Sequence, residues 1–261
     1  MFGESVAGAL IDRTELPGRH HTTASHTIGI PQLTTLLEHL PSASRLEDYR
    51  DAVVTDNVLD RPTFTGRQRS LRHLRELYLL DPERPAFRVL RRLWGEDRLA
   101  RHQLAGLLAY GNDELLRATF PAIADARIGD HVPATDLADA ARPGFGGALN
   151  PASLARLGRN AAASWTQTGH LVGRTGKRRA AVNPRPVAVA YALYLGHLGG
   201  RRGSYLLDSP WIRWFAALDD RIEAAEAEAV RLGYVDLRRA GGIVEISFEL
   251  LEGRDGLGGS A

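Results

Sequence analysis

The chain has 261 residues, of which 44% are hydrophobic and 25% are charged, and its formal net charge is +2. These are ordinary values for a globular protein and exclude wholesale disorder. The sequence has no cysteine, which excludes disulfides, thiolate zinc sites, iron–sulfur clusters and a cysteine nucleophile.

The charges are unevenly distributed along the chain. Between Asp139 and Asp208, 68 residues contain no Asp or Glu but carry ten Arg or Lys, whereas the parts before and after sum to −3 and −5. Lys177 is the only lysine, and arginine favours planar, bidentate contact with phosphate or carboxylate. The basic middle of the chain is therefore expected to bind a polyanion.

Residues 1–31 are rich in Gly, Thr, His and Pro and show little periodicity, which predicts a flexible N-terminal arm. His20, His21 and His26 form the densest histidine group, but without a carboxylate partner we expect no metal site there. The acidic residue near the N-terminus and the lack of a long apolar run predict a cytoplasmic protein with no membrane contact.

Residues 32–140 predict a helical N-terminal domain that contains a helix-turn-helix-like unit. A first helix over 33–40 and a second within 42–59 precede TGRQRSLRHLRELYLL, in which Leu71, Leu74 and Tyr78 share one face. The opposite side and first turn of this helix carry Arg67, Arg69, Arg72 and Arg75. Helix, turn, basic helix is the order of a DNA-binding helix-turn-helix, but a solvated arginine face on a structural helix is equally compatible.

Residues 84–121 predict three further helices, broken at Gly95, at Gly111 and near Pro121. The segment ARPGFGGAL at 141–149, which contains Pro and three Gly, predicts a domain boundary. Beyond it, residues 150–250 predict a winged-helix-like domain, and residues 251–261 a disordered tail.

The C-terminal domain is predicted to begin with a helix between an Asn150 N-cap and Gly169 at its C-terminal end. Leu154, Leu157, Ala161 and Trp165 form its apolar stripe. The other face carries Arg156, Arg159, Asn160 and Gln167. These are the side-chain types that read base edges, which predicts a recognition surface.

GRTGKRR, which follows this helix, predicts a basic hairpin of the kind that forms the wing of a winged helix. The residues predicted to contact phosphates here and after the next helix are Arg174, Lys177, Arg178, Arg179, Arg201 and Arg202. The segment is not a P-loop, because Leu171 stands where the first glycine belongs and Arg178 where Ser or Thr would bind magnesium.

The remaining sequence predicts a buried apolar helix after Arg185, an acidic helix ending at Gly233, and a hairpin around RRAGG. Because its helix is acidic, this second winged unit is expected to pack internally or to meet a protein partner.

Five segments resemble the BrxA (DUF1819) family of the BREX bacteriophage-defence systems. They are ASHTIGI, YRDAVVTDNVL, TFTGRQRSLRHLRELYLL, the basic winged segment and AVRLGYVDLRRAGGIVEISF, spread over residues 24–250. The resemblance implies a mainly helical protein with winged hairpins, DNA binding and no enzymatic activity. It also implies partners encoded in the same operon: a methyltransferase, an ATPase and a phosphatase-like protein. The chain departs from the family in its long N-terminal arm, its length and the insert at 173–179.

The sequence shows no catalytic constellation, so we expect no enzymatic activity and no cofactor. The leading hypothesis is a DNA-binding component of a phage-defence system. A stand-alone helix-turn-helix transcription regulator and a protein-only scaffold subunit are alternatives, and RNA in place of duplex DNA stays open because no aromatic stacking motif is present.

Overall fold

The computed structural model describes residues 20–145 and 149–253. It confirms a mainly helical fold with short β-hairpins. The helices are α1 (Ile30–His39), α2 (Leu46–Val54), α3 (Phe64–Tyr78), α4 (Pro85–Leu93), α5 (Arg101–Asn112), α6 (Glu114–Ala118), α7 (Pro121–Ala124), α8 (Ala134–Phe145), α9 (Pro151–Gln167), α10 (Pro186–Leu198), α11 (Ser204–Leu207), α12 (Pro210–Arg213), α13 (Asp219–Arg231) and α14 (Glu249–Glu252), with 3-10 turns at Thr22–Ala24 and Arg98–Ala100. Strands β1 (Leu171–Val172) and β2 (Arg178–Arg179) form one antiparallel hairpin, and β3 (Asp236–Ala240) and β4 (Ile243–Ser247) form the other.

Two helices, α5 and α10, lie at the centre of the molecule. Every residue of α5 from Gln103 onward and every residue of α10 from Val187 to Gly196 is buried. A helix that is apolar on all sides has to be covered on all sides. Helix α10 accordingly contacts α4, α5, α11, α12 and α13, as its sequence predicts.

One apolar core runs through the chain, from Ile28 to Leu251. It joins α4 and α5 from the predicted N-terminal domain with α10, α12 and α13 from the predicted C-terminal domain. The predicted boundary at 141–149 therefore does not separate two cores. Residues 141–145 belong to α8, and residues 146–148 lie outside the described part.

The prediction of a flexible arm over residues 1–31 is wrong for its described part. Ile28 is completely buried, and Thr23 donates from both its backbone N–H and its hydroxyl to one oxygen of Asp113, at 2.7 and 2.8 Å. The segment is fixed because side chains far along the chain satisfy its backbone polar groups. Residues 1–19 lie outside the described residues. The predicted disordered tail over 251–261 is wrong where it is described, because Leu251, which is buried, and Glu252 belong to α14, and residues from 254 onward lie outside the described part.

The two helix-hairpin units are built alike. Helix α9 begins at Asn150, whose side-chain oxygen accepts the Ser153 N–H at 2.9 Å, and ends before Gly169, which has a φ of +83°. Helix α13 ends in the same way before Gly233, at φ +76°. In each case the glycine and its successor return their N–H groups to the last turn, as in a Schellman motif. The predicted caps are confirmed, and each hairpin follows its glycine directly.

Among the described residues, no helix is both long and apolar enough to cross a lipid bilayer.

Candidate nucleic-acid interface

Helix α3 carries the first group of predicted site residues. The Thr63 hydroxyl caps it by accepting the Gly66 N–H at 3.0 Å, and the predicted core residues Leu71, Leu74 and Tyr78 are buried. The side chains that are exposed on the other face are Arg69, Arg72 and Arg75, as predicted. This face is therefore accessible to a partner.

Arg67 is a correction to the predicted set. Its guanidinium is half-buried and donates to the backbone carbonyls of Val54, at 3.1 Å, and Arg61, at 3.3 Å. These bonds fix the loop between α2 and α3, so the side chain stabilises the helix pair and is not presented to a ligand.

The apolar stripe predicted for α9 is confirmed, since Leu154, Leu157, Ala161 and Trp165 are all buried. The opposite face is not open to solvent along its whole length, because residues 22–30 lie against it. The Asn160 amide donates to the Thr23 carbonyl at 3.1 Å, and the Gln167 side-chain oxygen accepts the Ile30 N–H at 3.0 Å.

Asn160 and Gln167 are consequently wrong as base-reading residues: both are half-buried, and the atoms that would read a base already bond the backbone. Arg156 and Arg159 stay exposed. Arg156 donates from Nε to the Ala24 carbonyl at 3.1 Å, which leaves its terminal nitrogens for other contacts. Arg159 has no hydrogen-bond or ion-pair partner within residues 20–145 and 149–253.

The structure brings α3 and the start of α9 together around His26. Burial lowers the pKa of His26, and the positive charges of Arg69, Arg156, Arg72 and Arg61 lower it further. Electrostatic effects of this kind require the four guanidinium groups to lie close to the imidazole. We call Arg61, Arg69, Arg72 and Arg156 the α3–α9 cationic cluster.

Opposing charge is scarce at this cluster. Glu76 lies 3.8 Å from Arg72 Nε and accepts a hydrogen bond from the Thr22 hydroxyl at 3.2 Å. It is the one carboxylate that acts on the neighbouring His26–His73 pair within the described part of the chain. The cluster therefore carries a surplus of positive charge.

The first hairpin does not project as a free wing. Residues 129–132 pair with the outer edge of β2, where the Gly129 N–H donates to the Arg179 carbonyl at 2.8 Å and the Val132 N–H to the Lys177 carbonyl at 2.9 Å. Arg178 donates to the Gly129 carbonyl at 2.9 Å. Strand β2 is thus the middle one of three paired segments, with β1 on one side and residues 129–132 on the other.

Arg179 is the clearest error among the predicted phosphate contacts, because only 4% of it is exposed. Its guanidinium donates to the carbonyls of Ile123 (3.0 Å), His170 (3.3 Å), Ala216 (2.8 Å) and Ala180. It holds the hairpin to the end of α7 and to the loop after α12.

The other basic residues of this region are exposed to different degrees. Lys177 is half-buried and donates to the Gly173 carbonyl at 2.7 Å, while Arg174 is exposed and has no partner among the described residues. Arg201 and Arg202 follow α10, and Arg202 donates to the carbonyls of His197 and Arg201.

The acid-free middle of the chain does not form one free cationic surface. Arg185 pairs with Asp97 at 2.7 Å and Arg142 with Asp139 at 2.8 Å, so carboxylates that precede the acid-free stretch neutralise two of its cations. Arg201 and Arg202 lie next to the second hairpin, since neighbouring Gly203 approaches the Val244 carbonyl. The cations that converge come instead from α3, its preceding loop and α9.

Sequence reasoning missed His73, Arg61 and Gln32, which line a cavity beside the cluster. The spacing of Arg69 and His73 places both on one face of α3, which was a usable signal. Nothing in the sequence indicated that His26 would meet His73, with ring centroids 3.9 Å apart.

No family model matches this chain, and no curated protein matches it significantly.

Proposed function

We propose that this chain is a non-catalytic DNA-binding protein of a bacterial phage-defence system, and that it contacts duplex DNA through the α3–α9 cationic cluster. The observation that carries the DNA-binding part is the convergence of Arg69 and Arg72 from α3 with Arg156 from α9 around the half-buried imidazole of His26. The phage-defence part, with partners from the same operon, is supported by the resemblance of the five sequence segments.

A phosphate backbone fits this cluster better than a neutral or cationic partner does. Duplex DNA carries one negative charge for about every 1.7 Å of its axis, so one helix-sized surface meets several phosphates. Arginine binds phosphate oxygens bidentately, and within the described residues the four arginines of the cluster have one ion-paired carboxylate, Glu76. Arg75 and Arg159 extend the cationic surface along their helices.

Helix α3, not α9, is the candidate recognition helix. It follows α2 and a nine-residue loop, residues 55–63, in the order of a helix-turn-helix, and it exposes Gln68, Arg69, Arg72 and Arg75 on one side. Arginine and glutamine are side chains that read guanine and adenine in the major groove. Helix α9 would then supply phosphate contacts from Arg156 and Arg159 at its N-terminal half.

The salt dependence of binding tests this proposal. A labelled duplex titrated with the full chain, followed by fluorescence anisotropy at several salt concentrations, should give log K falling linearly with log salt. Each neutralised phosphate contributes a slope of about −0.9 for duplex DNA, so four contacts predict about −4. Absence of binding at low salt would contradict DNA binding altogether.

A protein-binding role at the second hairpin is favoured by a separate observation. Tyr205 on α11 and Ile243 on β4 are each 73% exposed, and these two elements contact each other. Exposed large apolar side chains that lie together are typical of protein interaction sites. Copurification with an operon partner that survives nuclease and high salt, and that is lost in Ile243→Ser with Tyr205→Ser, would support this scaffold role.

A further inference from the structure

A cavity of about 270 Å³ lies between residues 26–32 and one face of α3. Its polar walls include His26, Gln32, Arg61, Arg69 and His73, and its apolar floor includes Ile28, Leu74 and Leu77. We call this cavity the α3 pocket. Its volume is near the lower end of ligand pockets, which span roughly 300–1,000 Å³, so it suits one small group.

Two polar atoms in the lining are buried and unpaired. Neither Gln32 Oε1 nor Arg61 Nε has a hydrogen-bond partner within the part of the chain that the structure describes. Buried polar atoms nearly always have partners. An unpaired acceptor and an unpaired donor beside one cavity indicate a ligand that can donate to the first and accept from the second.

The lining of the pocket also favours a negatively charged ligand. Arg61 and Arg69 border the pocket, and Arg72 and Arg156 lie close to its histidines. Glu76 on α3 is the carboxylate that faces the pair, and Ser25 contacts His26 Nδ1 at 2.8 Å. Even with Glu76 counted, the surroundings are strongly positive, so an anion is the favoured ligand.

We propose that the α3 pocket binds a phosphate monoester group, with Arg61 and Arg69 donating to its oxygens and Gln32 accepting a hydrogen bond from its hydroxyl. A singly protonated phosphate has both the oxygens that Arg61 needs and the O–H that Gln32 needs. Inorganic phosphate carries this O–H at neutral pH, and a phosphate monoester carries it below its second pKa of about 6. Sulfate has the same shape but no proton to donate at neutral pH. The same group occurs on a free mononucleotide and at the 5′ end of a nucleic acid.

The histidine pair couples this site to pH. Burial lowers the pKa of His26, and it lowers that of His73 to about 4, so both rings are neutral near pH 7. A bound anion favours the charged form of a neighbouring imidazole. Phosphate binding therefore raises the pKa of both histidines.

Calorimetric titration of the full chain with inorganic phosphate and with sulfate tests the proposal. Phosphate is expected to bind, and sulfate to bind about tenfold or more weakly, because the Gln32 acceptor is left unpaired. Arg69→Gln should weaken phosphate binding by about tenfold or more. Arg84→Gln removes an equal charge outside both the lining and the α3–α9 cationic cluster, and it should leave phosphate binding unchanged. Equal affinity for the two anions, or no heat with phosphate, would overturn the proposal.

A second measurement keeps the test independent of any folding defect in a variant. The imidazole NMR signals of His26 and His73 in the unaltered protein, assigned with His26→Gln and His73→Gln, should titrate at higher pH when phosphate is present. The signal of His102, which does not line the pocket, should not shift. Unchanged titration of both pocket histidines would also contradict phosphate binding here.

This inference goes beyond the proposed function, with which it shares Arg61 and Arg69, and the two can fail separately. Closed circular DNA has no ends, so its binding reports on the cationic cluster alone. A 5′-phosphorylated oligonucleotide compared with its 5′-hydroxyl form, and a free mononucleotide, show which source of phosphate is preferred. Circular DNA bound without phosphate binding would overturn only the pocket, and the reverse result only the duplex-binding proposal.

Discussion

Asn160 of α9 donates from its side-chain amide to the backbone carbonyl of Thr23, at 3.1 Å and across 137 positions of sequence. With Arg156 bonded to Ala24 and Gln167 to Ile30, it seats the segment before α1 along α9. This contact therefore contradicts two predictions: the flexible arm, in its part over residues 20–29, and the base-reading face of α9. It also carries His26 to the place where the arginines of α3 and α9 meet.

Replacement of Asn160 by Ala should lower the free energy of unfolding by about 1 kcal/mol, because the part-buried Thr23 carbonyl loses its donor. Urea unfolding measures this loss. The matched control is Arg159→Ala, one position earlier and exposed, which should leave stability unchanged. If Asn160→Ala altered the DNA sequence preference and left stability alone, α9 would be the recognition helix after all.

Arg179→Met should be among the most destabilising substitutions in the basic region. It removes a buried guanidinium that serves four carbonyls, at a cost of about 3 kcal/mol or more. The salt dependence of DNA binding should not change at a temperature where the variant is folded. Arg174→Gln, in the exposed turn of the same hairpin, should leave thermal unfolding as it is. A smaller salt slope with normal stability in Arg179→Met would show that the residue meets phosphate.

Gly106 lies where α5 meets the buried ring of Trp214. A Cβ at this position would stand 2.6 Å from the Trp214 ring and 2.7 Å from the Thr168 methyl group. Gly106→Ala should therefore cost about 1–3 kcal/mol, since neither neighbour can move without repacking the core. Gly95→Ala provides the control, because a Cβ there meets no described atom within 4 Å. Equal thermal midpoints for the two variants would refute this packing.

Mild acid should destabilise the fold. Burial lowers the pKa of His170 to about 3 and that of His73 to about 4, while both titrate near 6.5 in an unfolded chain. Below pH 6.5 the unfolded chain binds protons that the folded chain does not. The free energy of unfolding therefore falls by about 1.4 kcal/mol per pH unit for the fully buried His170, and by less for the half-buried His73. Above pH 7 the effect is absent.

Thermal unfolding at pH 7.5 and pH 5 measures this effect, and the midpoint should be lower at pH 5. His170→Gln removes the fully buried one of these two imidazoles, so it should narrow the gap between the midpoints whatever its effect on stability at pH 7.5. A midpoint that rises on acidification, or a gap that the substitution leaves intact, would show that His170 is charged in the folded protein.

The sequence predicted the features that depend on neighbouring residues. The Asn150 cap, the glycine ends of α9 and α13, the apolar stripes and the buried α10 all follow from local spacing. These features were enough to give the fold class and the two hairpins.

Features that depend on distant partners were not predictable. Arg174 and Arg179 lie in one run of basic residues, and the sequence does not distinguish them. The carbonyls that bind Arg179 belong to distant parts of the backbone, whose positions no residue type indicates. Nothing in the sequence indicated that Asp113 and Ser164 bind the segment before α1. For the same reason the candidate site differs from the one that the sequence predicted. Its cations come from the loop before α3, from α3 and from α9, which only the tertiary structure brings together.

The most direct measurement compares two triple variants of equal charge in a duplex-binding salt titration. One carries Arg69→Gln, Arg72→Gln and Arg156→Gln in the α3–α9 cationic cluster, and the other carries Arg84→Gln, Arg221→Gln and Arg238→Gln elsewhere on the surface. If the cluster contacts the phosphate backbone, the first variant loses about 3 from the magnitude of the salt slope and the second loses little. Equal losses in both variants, or an unchanged slope in the first, would contradict the account.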